Sequence, residues 1–312
     1  MAFNNHNGPQ FIHMATESGW IGDVVDSVNP VEDAVQKIKE LKLEKGNIGI
    51  AGYKKGLFSA AALDYLRENL PEAKISDASA LMTEIMNELS RTSKEEFGFL
   101  KKASEILDLS FKAVTRILKP GINELDLWAE VEYTILKNGG WANHNMLITT
   151  AQEPLFPRVP ASHRRILAGD VGIFEIICSY GGVTPQTCYA VSLGEPQKEV
   201  RKMFDFCEGL YQFSITELNK KRLFKDIEGD LGKHIHSAGY EPMTPQIHVY
   251  NMSMEIPMES QPQPGDYFTV HPNIVDPTYS RGAKLGDIVR INKDGKAELL
   301  QNIPAQLNVV PL

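Results

Sequence analysis

From Ser93 onward the chain alternates pairs of long amphipathic helical stretches with short apolar strands, and that order restricts it to few architectures. Ser93-Lys94-Glu95-Glu96 sets a serine cap ahead of acidic first-turn residues. It predicts a helix running to about Leu118, stopped by Pro120-Gly121. Asn123-Glu124-Leu125-Asp126 opens a second helix, ended by Gly139-Gly140. Two antiparallel helices with their apolar faces on a sheet are expected. Strands follow over Met146–Thr150, Val171–Cys178 and Thr187–Leu193, with Gly169-Asp170 and Gly181-Gly182 bracketing a hairpin. Helices over Lys198–Asn219 and Asp226–Ala238 come next. Strands near Phe268–Pro272, Asp287–Asn292 and Ala297–Leu300 close the chain, with Lys293-Asp294-Gly295 as the turn between the last two.

The residues before Ser93 read as a smaller mixed segment. A Lys/Glu-rich helix around Val31–Leu43 precedes a short apolar strand, Ile48-Gly49-Ile50-Ala51. A helical stretch over Ala60–Leu70 ends before Pro71, and Ile75–Ala78 reads as another strand. At 312 residues the chain can bury one large core or two modest ones. We read residues 1–85 as a small α/β domain and 86–312 as a larger α+β domain.

Net charge is −8 with no basic block or stripe, which argues against nucleic acid as a partner. No apolar run approaches the ~20 residues of a membrane span, so no membrane partner is expected. The first residues, Met-Ala-Phe-Asn-Asn-His-Asn-Gly, lack the charged start and apolar core of a signal peptide. Three cysteines, Cys178, Cys188 and Cys207, without a Cys-x-x-Cys pair, suit reduced thiols. A cytoplasmic protein is expected.

One stretch is more specific: Pro264-Gly265-Asp266-Tyr267-Phe268-Thr269-Val270-His271-Pro272-Asn273-Ile274. It resembles the metal-binding strand of the creatinase/aminopeptidase P/prolidase family, whose fold is called pita-bread. There the pattern is Pro-Gly-Met-hydrophobic-Phe-Thr-Ile-Glu-Pro-Gly-Ile. Further echoes come in the family's order. They are Arg91-Thr92-Ser93-Lys94-Glu95-Glu96, Leu118-Lys119-Pro120-Gly121-Ile122-Asn123-Glu124, Gly169-Asp170 before an apolar strand, Leu193-Gly194-Glu195-Pro196, and Gly282 to Gly295. Together they cover roughly residues 85–305. The resemblance implies a pita-bread catalytic domain, preceded by a shortened creatinase-type N-terminal domain, in a homodimer.

In that family five side chains hold two divalent metals: two aspartates, a histidine and two glutamates. Carried over, the aspartate positions hold Glu175 and Gln186, the histidine position His248, and the glutamate positions His271 and Gly286. The family's substrate-side His-Glu-x-Pro becomes Met254-Glu255-Ile256-Pro257, and Arg158 stands near where another histidine is usual. Four negative charges shrink to one, on Glu175. Two dications would then leave a large uncompensated charge in a buried site, so a dinuclear centre is not expected.

The first reading is therefore a non-peptidase, creatinase-like enzyme hydrolysing a C–N bond in a small polar molecule without metal. His271, His248, Glu175 and Glu255 would perform acid–base chemistry. Gln186, Arg158, Tyr250 and Met254 would contact the small-molecule substrate. A second reading is a lyase or decarboxylase using one Fe, Mn or Zn ion held by Glu175, His248 and His271. A third is an inactive homologue that keeps its pocket to bind peptides or proteins.

Overall fold

A computed structural model of the chain describes residues 2–3, 25–53, 56, 58–89, 91–142, 147–155, 161–248 and 258–312. They fall into two compact units, Met1–Ile85 and Met86–Leu312.

In the first unit, strand pair β1 (Ala2–Phe3) and β2 (Val25–Asp26) is followed by helix α1, Pro30–Glu40. Strands β3 (Asn47–Ile50) and β4 (Lys74–Asp77) pair in parallel, joined by helix α2, Ala60–Asn69. Parallel neighbours need such a crossover. Ser59 caps α2 by accepting from the Ala62 amide at 3.1 Å. Val35, Ile50, Leu63, Leu66 and Leu70 form the small core. Helix α1 stops three residues short of the sequence expectation, where Leu41 and Lys42 turn out of it and Lys42 takes a positive φ of 58°. Helix α3, Ser79–Leu89, was not anticipated. Its apolar residues, Leu81, Met82 and Ile85, remain exposed and give no clear buried stripe.

The second unit has the α+β pita-bread arrangement expected from its motifs. Helices α4 (Lys94–Ile117) and α5 (Glu124–Lys137) each begin with a reciprocal capping box, Ser93 with Glu96 and Asn123 with Asp126. Strands β5 (Trp141–Ala142), β6 (Leu147–Ala151), β7 (Val171–Ser179) and β8 (Gln186–Leu193) follow. The long helices α6 (Lys198–Leu218) and α7 (Phe224–Ser237) come next. The remaining strands are β9 (Ile247–His248), β10 (Tyr267–Val270), β11 (Asn273–Val275), β12 (Gly282–Lys284), β13 (Asp287–Ile291), β14 (Ala297–Leu299) and β15 (Leu307–Val310). One sheet runs β15-β8-β7-β5, with β6 also on β7; another runs β14-β13-β10-β9.

Strand β7 is buried along almost its whole length because helices or strands cover both faces, which explains its unbroken apolar run. Phe174 and Ile176 face a core shared with α4 and α5, whereas Val171 and Ile173 face one shared with α6, α7 and the other sheet. By the two-residue period Glu175 shares the latter side. Sequence reasoning missed the β11–β12 hairpin and β15, which pairs in parallel with β8. The hairpin strands have three residues each, and the partner of β15 lies more than a hundred residues away in sequence.

The two sheets meet at a backbone bridge. Cys188 donates to the Gly286 carbonyl at 3.0 Å, and Gly286 donates to the Cys188 carbonyl at 2.9 Å. Gly286 sits at φ +156°, and a Cβ there would fall against the Val270 carbonyl oxygen and the His271 Cα. Gly286→Ala should therefore lower stability by on the order of 3 kcal/mol. Gly229→Ala, in open space on α7, should instead raise it by about 0.5–1 kcal/mol. Urea denaturation of the two variants beside the parent measures both, and equal effects would refute this account of Gly286.

Candidate active site

The bridge between the sheets brings the carried-over positions together. Across the strands Glu175 lies opposite Cys188, which lies opposite Gly286. Gln186 begins β8, and its carbonyl accepts from the Thr269 hydroxyl of β10 at 3.0 Å. Thr187 donates through its hydroxyl to the Gly286 carbonyl at 2.9 Å. His271 follows β10 directly and is 1% exposed. Its amide donates to the Gln246 carbonyl at 2.9 Å.

Asn273 pins the turn after His271. Its Oδ1 accepts from the Met243 and Thr244 amides at 3.0 and 2.9 Å, and its Nδ2 donates to the His271 carbonyl at 3.2 Å. Strand β9 pairs His248 with Thr269. It is held to α7 where Glu228 accepts from the Ile247 amide at 2.6 Å. The His248 and His271 rings meet edge to face, with centroids 4.2 Å apart.

The side chain that sequence reasoning missed is Lys284. It ends β12, is 1% exposed, and its ammonium is paired with Glu175. The other Glu175 oxygen accepts from the Gln186 amide. A signal was present: a lone lysine in the apolar run Ala283-Lys284-Leu285 needs a buried partner. Glu175, Gln186, His248 and His271 thus adjoin one another. Arg158, Tyr250, Met254 and Glu255 lie outside the described residues. Arg164 is half-buried and grips Asp170 through two bonds of 2.6 and 3.0 Å.

Burial, first, and then the Lys284 and His248 charges hold His271 well below the usual imidazole range, so its ring is neutral. Neither ring nitrogen has a hydrogen-bond partner among the described residues, nor does Gln186 Oε1. Asp287 turns to α6, where it accepts from the Tyr211 hydroxyl at 3.1 Å. Burial pushes its carboxyl up to about 7, against the lowering effect of that bond and with a smaller raising effect from Asp108.

The model of metallopeptidase family M24 matches residues 98–293. This chain belongs to that family. An Xaa-Pro dipeptidase of Lactobacillus delbrueckii subsp. lactis is 23% identical over 299 residues, 90% of this chain and 78% of that protein. The uncharacterized peptidase YqhT of Bacillus subtilis is 22% identical over 229 residues, 70% of this chain; the match spans 64% of the relative's length. Among solved structures, a prolidase from Thermococcus sibiricus superposes with a TM-score of 0.81 at 21% identity, over 96% of this chain and 83% of that one.

These relatives correct the functional expectation. A creatinase-like, non-peptidase enzyme is not what they indicate, because the family is one of peptidases and the named relatives are dipeptidases and prolidases. The names of these relatives give no support to the lyase or binding-module alternatives. The charge arithmetic behind that expectation described the metal positions and was silent on the substrate.

A metal is implied by the family name, and the donor set can be tested against it. Two dications do not fit the residues present. The ligand positions hold one carboxylate, both of whose oxygens are engaged, and one engaging group is a cation. Gly286 offers no donor and no room for one.

Asp287 supplies a pH test. Its folded pKa lies above that of the unfolded chain, so its contribution is fully present below about pH 4 and is lost as pH rises through about 7. Asp287→Asn should therefore gain stability relative to the parent as pH rises over that window and level off above it. Urea midpoints across the range report this; a pH-independent difference would contradict the assignment.

Proposed function

We propose that this chain hydrolyses short peptides, with dipeptides as the substrate class. The reading is supported by one observation: the M24 architecture gathers Glu175, Gln186, His248 and His271 on adjoining strands, with both buried ring nitrogens of His271 lacking a hydrogen-bond partner among the described residues. A neutral imidazole keeps a lone pair able to take a proton from water or from a substrate N–H. The names of the Xaa-Pro dipeptidase relatives suggest proline after the scissile bond. The buried free thiols Cys178, Cys188 and Cys207 are consistent with a reducing, cytoplasmic setting.

Release of free amino acids from a panel of Xaa-Pro and other dipeptides tests the proposal. Purified protein should release them, and His271→Ala, with its fold checked by circular dichroism, should lose at least roughly 100-fold in kcat/KM. A folded parent that cleaves no dipeptide, with or without added divalent metal, would overturn the reading.

A further inference from the structure

The site carries its own cation. Lys284 is buried almost completely, and its ammonium meets the one carboxylate among the five ligand-matched positions. With −1 on Glu175 and +1 on Lys284, this buried pair is neutral as folded. Adding one divalent ion to it would leave +2 in a medium of low polarity, which is strongly unfavourable.

Two further features agree with that balance. The Gly286 backbone lies against Val270 and His271 so closely that no side chain fits there. A carboxylate therefore cannot be supplied from position 286 without displacing the adjoining β10 backbone. The unsatisfied atoms, His271 Nδ1 and Nε2 and Gln186 Oε1, border a site that already holds an ammonium. They suit a neutral hydrogen-bonding partner, such as water or a peptide amide, better than a second cation.

We propose that Lys284 is a resident cation that neutralises Glu175 in place of a divalent metal, so that this site folds and is occupied without tight metal binding. The inference goes beyond the peptide reading, and its readouts are metal content and melting temperature rather than turnover. Failure of one therefore leaves the other intact.

The parent protein, incubated with Mn²⁺, Co²⁺ or Zn²⁺ and then desalted, should retain less than about a tenth of an equivalent by elemental analysis. Its Tm should move by less than about 1 °C with about 1 mM of any of these ions or with chelator. Lys284→Met keeps the length and removes the charge, which strands Glu175. Its Tm should fall by roughly 10 °C. Adding Glu175→Gln should restore most of that loss. In the single variant, Mn²⁺ or Zn²⁺ should raise Tm, because Glu175 and His271 are then released to a cation.

Near-stoichiometric metal in the parent, or a parent Tm raised several degrees by these ions, would overturn the proposal. So would a folded single variant that Glu175→Gln fails to rescue. If Lys284→Met does not fold, the double variant and the metal titration of the parent decide the question.

Discussion

The catalytic-like unit depends on a close approach of two sheets at one glycine. Gly286 exchanges both backbone hydrogen bonds with Cys188, and Cys188 lies opposite Glu175. Any side chain at position 286 would enter the Val270–His271 backbone. The close contact seals the sheets together and sets Lys284, two residues earlier, against Glu175. The packing that stabilises the core therefore also decides the chemistry available at its edge.

Burial makes the electrostatics of this region unforgiving. A lone carboxylate or a lone ammonium at such a position would cost several kcal/mol, and their pairing offsets much of that cost. The neutral ring of His271 follows from the same environment, since burial and the nearby positive charge both oppose its protonation. Asp287, one residue past the glycine, turns the other way to Tyr211 and acquires a raised pKa chiefly from burial. Adjacent residues on one strand thus serve two different environments, as the alternation of a strand requires.

Much of the fold was legible because its signals are local. The capping residues Ser93 and Asn123, the stop at Pro120-Gly121, and the apolar runs of β7 and β8 each declare themselves within a few residues. Helix α3 gave no amphipathic signal, since Leu81, Met82 and Ile85 are exposed; β11 and β12 are only three residues each, and β15 pairs with a strand more than a hundred residues away. The positions Glu175, Gln186, His248 and His271 could be picked out by motif. Lys284 belongs to no such motif; its place in an apolar run called for a buried partner, but that the partner is Glu175 is decided only by the folded sheets. The small-molecule reading failed for a different reason. Loss of ligand charge bears on metals, and substrate class was inferred from it without a residue that touches substrate.

The sequence by itself determined the order of the long helices and the main strands, the family, and the removal of three carboxylates from the ligand positions. Periodicity, caps and turn residues act over short distances, and charge can be counted without coordinates. Only the tertiary structure decided that the remaining carboxylate is already paired, that Gly286 has no room for a side chain, and that the nitrogens of His271 lie buried and unsatisfied. Those are facts of contact between residues up to 109 positions apart, and contact of that kind exists only after the sheets have closed on one another.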